Sequence, residues 1–583
     1  MFDNRTIVDE RLRGLRWAVL ASLACLIAGL GYFQIFRSDQ YVQLALSNKL
    51  RVIRLPATRG SISDANGVLL ATNVLTFDIV GYPLDLKEKG LLRAFSTLLR
   101  RHGIPLSEEL LARRAQSQYV VPYRSVVLLR NLTMAQMTDL VGDPEFPPQF
   151  FYLPVWRRIY PGGALVCHAL GYVGEITEAE LQKLGRDGDT SRFAGGDMTG
   201  KGGIEAYYED RLQGYPGHRV IEVDARGRFV RSLYGQRPVA GENLALTLDL
   251  GAQRLAADLM GDRRGAVLAM DLKSGGLKVL YSSPTFDVNP LAWGISSKEW
   301  KKLLGAPSRP MLNRAMCGAY SPGSVYKPIV AYAALAERSA TRRTAVVCTG
   351  KFILGNQTYR CHRRWGHGSE NVIEALRDSC DVYFYEIGQR VGIDTLVKWG
   401  KVFGVGKKTG VDIPGEVEGT ISGREWKKRK FGDRWYKGDT VNYSIGQGFL
   451  LMTPIQILHE FAVLATGRSF RPHLLQDGDF PSVDLKLDAQ LLRIVQKGLE
   501  KVVEPGGTGW RAGSFGVSVA GKTGTVQNCQ GDDHAVFGGY SPVEKPQYVA
   551  VAFVEEGLHG SSTAAPIVGQ LLAYLVKNNE GGL

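Results

Sequence analysis

The feature that most constrains this chain is a stretch of 20 residues without a charge near its start, from Trp17 to Phe36. A helix of that length spans the apolar core of a bilayer. Four arginines precede the stretch and only Arg37 follows it closely. The positive-inside rule therefore predicts an N-terminus in the cytoplasm, with residues 1–16 as a short tail, and a main body on the outer side. No later segment is comparably long without a charge, so we expect a single-pass protein.

Two other interpretations of this stretch fit less well. A cleaved signal peptide usually has a shorter apolar core, and no site of the A-x-A kind follows here. Lipidation at Cys25 needs a recognition sequence, which Ser22-Leu-Ala-Cys25 matches poorly. The pattern favours a signal anchor that stays attached.

The size and charge of the chain restrict its partners. Its 583 residues suffice for two or three domains. The net charge of +14 is spread thinly, without a long basic block, which argues against nucleic acid and favours a membrane surface or an anionic polymer. Seven cysteines are too few for a disulfide-built scaffold in an exported chain of this length.

Residues 37–240 have the pattern of a mixed domain without a catalytic constellation. Arg51–Leu55 alternates as a strand does, and Asn66-Gly67 is a strong hairpin signal. Helical spacing predicts helices over 105–118, 133–141 and 175–185, and the glycine-rich segment 195–203 indicates a loop. We expect a scaffold or spacer.

Residues 241–578 have strand patterns at both ends of a largely helical stretch. A domain begins near Asn243–Asp249, with a helix predicted at 253–260. Strands are predicted at 265–271, 276–282, 516–520, 535–540 and 548–555, with a closing helix at 564–576. This order predicts one α+β domain whose sheet joins distant parts of the chain, followed by a tail at 579–583.

A serine and a lysine three residues apart, Ser324 and Lys327, carry the clearest chemical signal. The apolar run Ile329–Leu335 follows them and predicts a helix, on which the two side chains would share one face. Serine becomes a nucleophile when a base removes its proton, and a lysine can be that base when its surroundings keep it neutral. The spacing therefore indicates acyl transfer through a serine ester, although a chance S-x-x-K on a solvated helix is the simpler alternative.

The segment Gly516–Thr523 matches the pattern of a nucleotide-binding P-loop letter for letter. A P-loop needs a buried strand before its first glycine and a helix directly after its lysine, and neither pattern is present here. The segment fits an edge strand instead, on which Lys522 is a cation near the serine and Gly521 and Gly524 let a ligand backbone approach. A second Lys-Thr-Gly, starting at Lys408, lies in turn-like sequence and is interpreted as a loop.

Ser379-Cys380-Asp381 adds a third motif, whose simplest interpretation is a polar helix start. In this order S-x-x-K, S-x-[ND] and K-T-G form the signature of penicillin-binding proteins and serine β-lactamases. The chain resembles a class B penicillin-binding protein, of the penicillin-binding protein 2 type that serves cell elongation, over nearly its whole length. The resemblance also rests on further segments: 59–67, 158–162, 168–174, 200–205, 446–448 and 534–537. Asp381 stands where much of the superfamily has Asn, but it is usual in the elongation branch.

The resemblance implies a fold and a setting. The fold is α+β, with one N-terminal transmembrane helix, an elongated mixed pedestal over 37–240 and a transpeptidase domain over 241–578, built as a central antiparallel sheet flanked by helices. The protein is expected in the inner membrane of a bacterium, with its catalytic domain in the periplasm. Peptidoglycan stem peptides are the implied substrate, and a polytopic glycosyltransferase and other elongation-complex proteins are the implied partners.

The resemblance also implies roles for the motif residues. Ser324 attacks the carbonyl of the penultimate D-Ala of a stem peptide, with Lys327 as its base. Ser379 relays a proton to the leaving amine, and Asp381 orients Lys327 and the substrate amide. Lys522, still protonated, keeps the site electropositive.

Substrate binding is assigned by the resemblance to the residues after that lysine. Thr523 and Thr525 hydrogen-bond the substrate carboxylate, and Gly524 lies between them. The backbone N–H groups of Ser324 and Thr525 form the oxyanion hole. β-Lactams are expected to acylate the serine and to leave slowly.

Cys348, Cys361, His367 and Cys380 form a Cys₃His set, with His362 as a spare, and zinc takes four such ligands in structural sites. The gaps are wider than those of a zinc finger, so a Cys348–Cys361 disulfide, free thiols and a structural histidine stay open as alternatives. The resemblance adds that some members of the penicillin-binding protein 2 family carry zinc beside the active site. No cofactor is expected for the chemistry itself.

Three rival functions use the same motifs. A carboxypeptidase or β-lactamase would hydrolyse the acyl-enzyme, but the anchor and the pedestal argue against it, and no deacylating glutamate is identifiable. A Ser324→Ala protein that still supports cell shape would favour a non-enzymatic scaffold or β-lactam sensor. A septal transpeptidase of the division branch is the nearest rival within the same class.

Overall fold

The computed structural model describes residues 4–83, 85–88, 90–117, 125–186, 192–223, 229–528 and 531–580. Several expectations fall partly outside these ranges: residues 1–3 of the predicted tail, residue 118 of a predicted helix, Cys529, and residues 581–583 at the end.

The chain begins with a long helix that carries the apolar stretch. Asn4–Gly31 is α-helical, Tyr32–Phe36 continues as one π-helical segment, and Ser38–Lys49 forms a second α-helix. Within the described residues, Leu12–Phe36 is the one segment long and apolar enough to cross a membrane, with a mean hydropathy of 2.0. None of that window is buried against the rest of the protein, which is compatible with a membrane anchor.

The first half of the chain, which we call the pedestal and predicted to span 37–240, contributes to two separate sheets among the described residues. The first is antiparallel, with the strand Gly217–Val223 between Leu50–Leu55 and Phe229–Gln236. The second has the long central strand Leu69–Gly81, paired with Ile62–Ser63, Val126–Leu132 and Phe150–Ile159, and it is completed by Leu244–Ala245. A small pair joins Val173–Glu175 to Met198–Gly200.

The pedestal helices are short and lie around these sheets: Leu91–Arg101, Glu108–Ser117, Met134–Val141, Cys167–Leu170, Glu178–Arg186, Gly203–Tyr207 and Glu209–Leu212. The predicted hairpin is confirmed, because Gly67 has φ of +82° in the turn between two antiparallel strands. Three expectations were wrong in detail. The segment 195–203 contains a short strand, the helix predicted from 105 starts at Glu108, and the helix predicted from 175 starts at Glu178 after a strand.

Three of the segments that carry the family resemblance meet at one buried carboxylate, Glu205, whose side chain is 0% exposed. Arg59 donates to it from Nε at 2.6 Å, and Arg158 donates from Nε at 2.7 Å. The Tyr160 hydroxyl also donates to it, at 3.2 Å. Nearby, Trp293 of the following domain donates from Nε1 to the Arg158 carbonyl at 2.6 Å. The network thus lies beside the joint between the two halves of the chain.

The second half is built on a five-stranded antiparallel sheet. Its strands, in spatial order, are Leu277–Ser283, Gly265–Asp271, Tyr548–Val554, His534–Ser541 and Ala520–Val526. The predicted α+β class and the sheet that joins distant parts of the chain are confirmed. One predicted strand was displaced, because 516–519 precedes the edge strand rather than forming it.

Helices cover both faces of this sheet, and its central strand Tyr548–Val554 is buried along its whole length. Leu250–Met260 and Ala564–Glu580 pack on one face, and Pro454–Thr466 packs on the other. The latter helix begins with a capping box between Thr453 and Gln456 and ends at Gly467 in the left-handed region. The predicted boundary at residue 240 stays a prediction.

The remaining helices of this half are Asn289–Trp293, Ser297–Leu304, Arg314–Cys317, Lys327–Ala336, Val372–Arg377, Asp381–Val391, Ile393–Val402, Arg424–Phe431, Lys437–Ser444 and Ala489–Val503. Three two-stranded pairs complete it: Val346–Cys348 with Gly368–Glu370, Lys351–Leu354 with Gln357–Arg360, and Arg468–Ser469 with Val483–Asp484.

Candidate active site

The serine and lysine of the first motif lie at the start of a buried helix. Ser324 is part of a single 3₁₀ turn, Gly323–Tyr326, and Lys327 is the first residue of the α-helix Lys327–Ala336. The predicted helix is confirmed, but the serine lies in the tighter turn before it rather than in the helix. Lys327 is 0% exposed, so the solvated-helix alternative for the motif is wrong.

A glycine from elsewhere in the chain holds this turn in place. The Gly323 N–H donates to the Gly446 carbonyl at 2.9 Å. Gly446 has φ of +74°, and a Cβ on it would lie 2.1 Å from the Gly323 carbonyl oxygen. Gly446 therefore packs directly against the turn that carries Ser324, through a contact that only glycine permits.

The second motif approaches Lys327 through an unusual backbone conformation. Ser379 has φ of +53°, which is uncommon for a residue with a side chain and marks a constrained position. Cys380 occupies the position before the helix Asp381–Val391 without a capping hydrogen bond from its side chain. The Lys327 ammonium donates to the Ser379 carbonyl at 2.8 Å, to its hydroxyl at 3.2 Å and to Asp381 Oδ1 at 2.6 Å. Lysine and the second motif thus form one hydrogen-bonded group.

The third motif lies on the edge strand Ala520–Val526, which pairs with His534–Ser541 on one side. Lys522 is 0% exposed, and its Nζ donates to the Thr523 carbonyl at 3.0 Å. A Cβ on Gly524 would lie 2.6 Å from Val536 and 3.3 Å from the Pro322 carbonyl. Gly524 therefore lets the strand pack closely against the turn that carries Ser324, whereas we expected this glycine to make room for a ligand.

The charges in the site are unevenly placed. Burial alone raises the pKa of the Asp381 carboxyl, but the Lys327 ammonium and a hydrogen bond from His362 outweigh it and hold this pKa below its usual range. Burial, together with the positive charge of Lys327, lowers the pKa of Lys522 well below its usual range. In the free protein the Asp381 carboxylate therefore pairs with Lys327, and burial disfavours a positive charge on Lys522. This differs from the expectation that Lys522 stays protonated.

All three motifs open onto one cleft of about 810 Å³. Ser324, Ser379, Asp381, Thr523, Gly524 and Thr525 line it, and the two buried lysines lie behind them. Many of the other lining residues were missed from the sequence, among them Asn442, Gln447 and Thr508. Gln447 belongs to a segment of the resemblance, so it could have been nominated. Thr508, which accepts a hydrogen bond from the Thr523 hydroxyl at 3.0 Å, left no recognisable signal.

The structure agrees with our interpretation of the P-loop match and of the second Lys-Thr-Gly. Lys522 stands inside a strand, with no helix after it and no strand directly before Gly516, so the P-loop match is a coincidence. The second Lys-Thr-Gly lies in a loop, where the Thr409 and Gly410 N–H groups donate to the Glu416 carboxylate at 2.6 and 3.0 Å.

The cysteine and histidine set converges beside the second motif. The ligand atoms of Cys348, Cys361, His367 and Cys380 all lie within 4.8 Å of one another, and the three cysteines are buried. All three are free thiols, so the Cys348–Cys361 disulfide alternative is not supported. A hydrogen bond from Cys380 lowers the pKa of the Cys361 thiol, which favours one thiolate in the set. His362 lies on the rim, with Nδ1 at 3.5 Å from Asp381.

Comparison with known proteins agrees with this geometry. The penicillin binding protein transpeptidase domain family matches residues 265–573, and the penicillin-binding protein dimerisation domain family matches residues 54–246. The chain is 32% identical to the peptidoglycan D,D-transpeptidase MrdA of Haemophilus influenzae, over 98% of this chain and 92% of that one. It is 33% identical to the protein of the same name from Escherichia coli, over 96% and 92%.

Solved structures are similar as well. Penicillin-binding protein 2 of Helicobacter pylori, in complex with MreC, superposes with a TM-score of 0.82 at 32% identity and covers 91% of this chain and 99% of that one. A chain of a peptidoglycan synthase complex, described as coordinating polymerization and crosslinking, superposes with a TM-score of 0.73 at 27% identity, over 97% and 98%.

Proposed function

Because this chain belongs to the class B penicillin-binding proteins, of the penicillin-binding protein 2 type, we propose that it is a serine-type peptidoglycan D,D-transpeptidase that cross-links stem peptides. One observation carries the proposal. A single cleft brings together the serine of the nucleophile turn, the Lys327–Ser379–Asp381 group and an edge strand with one free side. The relatives named MrdA favour this reaction over a β-lactamase and over a sensor without activity.

The first half of the reaction forms an ester. Ser324 Oγ bonds to the carbonyl carbon of the penultimate D-Ala while its proton passes to Lys327, which must be neutral at that moment. The C–N bond to the terminal D-Ala then breaks, and the leaving nitrogen takes a proton relayed through Ser379, 3.2 Å from Lys327. The backbone N–H groups of Ser324 and Thr525 stabilise the oxyanion, an effect worth about 3–4 kcal/mol for each donor.

The second half restores the enzyme. The amine of a neighbouring stem peptide attacks the ester carbonyl, the ester C–O bond breaks, and the serine oxygen regains a proton. The new amide is the cross-link. Water in place of the amine would give hydrolysis, so the acceptor must reach the ester before water does.

The substrate carboxylate offers a physical route to a neutral Lys327. In the free protein Asp381 pairs with Lys327, and burial disfavours a charge on Lys522. A carboxylate held by Thr523 and Thr525 brings a negative charge close to Lys522, which favours the protonated form of that lysine. A proton can then reside on Lys522 while Lys327 accepts the one from the serine.

The cysteine and histidine set fits a structural zinc ion. Three thiols and an imidazole within 4.8 Å match the tetrahedral ligand sets of closed zinc sites. Zinc there would tie the strand pair that contains Cys348 to the start of the helix Asp381–Val391, and it would supply positional stability rather than chemistry. Elemental analysis tests this: Cys361→Ser is expected to lose zinc and Cys317→Ser, outside the set, to retain it. Equal zinc contents in both variants contradict the site.

The setting of the reaction follows from the anchor and the relatives. We place the chain in the inner membrane of a bacterium as a single-pass protein, with the cleft in the periplasm. A polytopic glycosyltransferase and other elongation-complex proteins are its proposed partners, since relatives of similar fold were solved with MreC and in a peptidoglycan synthase complex. Co-purification from membranes of a tagged chain, with and without its residues 1–36, tests whether the anchor is needed.

Labelled penicillin tests the reaction itself. Mass spectrometry is expected to find one stable adduct on the peptide that contains Ser324, and none in Ser324→Ala. Ser321→Ala, a serine in the same loop but outside the motif, is the matched control and keeps the adduct. A label on another residue, or rapid release without a lasting adduct, contradicts a transpeptidase.

A further inference from the structure

An open groove of about 620 Å³ lies at the end of the helix Ala489–Val503, on the transpeptidase domain. Its floor is flat, because Gly506, Gly507 and Gly513 contribute no side chains to it. None of the lining residues that the structure describes carries a charge. Sites for small molecules typically have volumes of about 300–1,000 Å³, so the groove is large enough to hold one.

Trp510 supplies the aromatic surface of this groove. It begins the 3₁₀ turn Trp510–Gly513, and the Arg511 guanidinium lies over its ring, 5.2 Å from the ring centroid. The residue is nevertheless 50% exposed. A single exposed tryptophan is ordinary on a protein surface. This one forms the wall of a concave, uncharged surface, so a ligand in the groove can cover the rest of its ring.

The loop that forms the groove is fixed to its surroundings. The Gly509 N–H donates to the Val502 carbonyl at 2.8 Å, and the Thr508 hydroxyl donates to the Arg377 carbonyl at 3.2 Å. A Cβ on Gly507 would lie 2.3 Å from the Val502 carbonyl oxygen, so the close packing there requires glycine. The groove is therefore already formed in the free protein, and a ligand does not have to order it.

Thr508 joins the groove to the active-site cleft. It lines the cleft, and it accepts a hydrogen bond from the Thr523 hydroxyl at 3.0 Å. Trp510 follows two residues later, so the Cα atoms of Thr508 and Trp510 are at most about 8 Å apart. In the proposed reaction Thr523 binds the carboxylate of the terminal D-Ala. The groove therefore continues the cleft on the side from which the leaving D-Ala departs.

The acceptor strand has to approach from this same side. Its amine nitrogen forms the new C–N bond to the carbonyl carbon of the Ser324 ester, the ester C–O bond breaks, and the serine oxygen regains a proton. Aminolysis is the reverse of acylation with a different amine, so the attacking nitrogen occupies the position that the leaving nitrogen vacated. The remainder of the acceptor strand then extends past Thr508 towards the groove.

We propose that this groove, which we name the Trp510 groove, binds a sugar ring of the acceptor glycan strand. The proposal rests on the proposed transpeptidase function and makes Trp510 a specificity-determining residue for its second half. A sugar ring has a face of C–H groups that stacks on an indole, and hydroxyl groups that bond to exposed glycine backbone and to Ser514. A stem peptide ends in a carboxylate, for which the uncharged wall offers no partner.

Aminolysis of the acyl-enzyme, in the full chain in detergent, tests the proposal. A thioester analogue of the D-Ala-D-Ala donor acylates Ser324, and mass spectrometry measures the product formed with two acceptors. One is a free stem peptide, and the other is the same peptide attached to a disaccharide. Trp510→Ala is expected to lower aminolysis by the disaccharide acceptor about fivefold or more and to leave that by the free peptide unchanged. Trp510→Tyr keeps an aromatic ring and is expected to retain most of the rate.

Trp156→Ala is the matched control, because Trp156 is 48% exposed but lies on a strand of the pedestal. It is expected to change aminolysis by neither acceptor. Equal aminolysis by the disaccharide acceptor in Trp510→Ala and wild type overturns the proposal. So does a wild type that uses the two acceptors equally well. An equal fall for both acceptors also overturns it and makes the stem peptide the occupant.

Labelled penicillin separates this proposal from the proposed function. The adduct on Ser324 is expected to form equally fast in wild type, Trp510→Ala and Trp156→Ala, because a β-lactam is too small to extend from the serine into the groove. A wild type without the adduct contradicts the transpeptidase itself. A normal adduct together with unchanged aminolysis in Trp510→Ala contradicts the groove alone. Trp510→Gln, which also removes the ring, replaces Trp510→Ala should the latter fail to fold.

Discussion

Replacing Glu205 by glutamine is the most direct test of how the pedestal holds together. The carboxylate is fully buried between Arg59 and Arg158, whose side chains are 7% and 2% exposed. Removing one partner of a buried ion pair leaves an uncompensated charge and typically costs about 3–5 kcal/mol. Glutamine keeps one acceptor oxygen, so we expect the lower end, about 3 kcal/mol. For a domain of this size that corresponds to a fall in Tm of roughly 6–12 °C.

Differential scanning calorimetry of the full chain in detergent measures this change. Glu242→Gln is the matched control, since that glutamate is 63% exposed and pairs with Arg211 in the same domain; we expect it to cost at most about 1 kcal/mol. Arg59 and Arg158 outweigh the effect of burial and lower the pKa of Glu205 below the usual 4.5. The contribution of the Glu205 carboxylate to the free energy of unfolding is therefore complete above about pH 4.5 and declines as the pH falls below that value. The difference in Tm between wild type and Glu205→Gln must therefore narrow in acid. A shift no larger than that of the control refutes the reasoning.

Three further outcomes are expected. Asp381→Asn removes the charged partner of Lys327 and is expected to slow acylation by fluorescent penicillin by about 10²-fold or more. Asp394 is 72% exposed, so Asp394→Asn is the control and leaves the acylation rate unchanged. Equal acylation rates in the two variants contradict the role of Asp381. Gly446→Ala, with φ of +74° and a carbonyl 2.1 Å from the new Cβ, is expected to lower both Tm and the acylation rate more than Gly432→Ala, which has φ of +68° and open space around it. Glu460 is fully buried without a hydrogen-bond partner among the described residues, and burial raises its pKa well above 4.5. The part of its cost to stability that depends on pH is absent below about pH 4.5 and grows as the pH rises. Glu460→Gln is therefore expected to raise Tm at pH 7.5 more than at pH 4.5, and an equal rise at both refutes the assignment.

The sequence predicted the parts of the molecule that depend on local pattern. The hairpin at Gly67, the helix after Lys327 and the strands of the catalytic sheet follow from turn chemistry and from the spacing of apolar residues. The three motifs could be assigned to one site because their order is specific. The displaced edge strand shows the limit, since Val517 and Val519 alternate as a strand does but precede the paired segment.

The features that the sequence did not predict depend on contacts between residues distant in the chain. The sequence analysis paired Asp381 with Lys327, but the lowered pKa of Lys522 is a result of its burial, which no local pattern reveals. Likewise Thr508 reaches the cleft because a loop carries it there, and Gly446 is needed because another segment passes 2.1 Å from where its Cβ would be. Positions of this kind have to be seen in three dimensions.

The unpaired side of Ala520–Val526 also limits what the enzyme can recognise. A peptide that binds beside it must lie extended and be read mainly through its own amide groups, which are the same in every sequence. If Thr523 and Thr525 hold the chain end, as proposed, selectivity depends on that end, while residues farther from it can vary. An open strand is ordinarily a hazard, because a second molecule can add to it. Here the edge of Ala520–Val526 has to stay unpaired so that the substrate can bind. Because this edge lies inside a cleft, an extended peptide can reach it but a folded protein cannot.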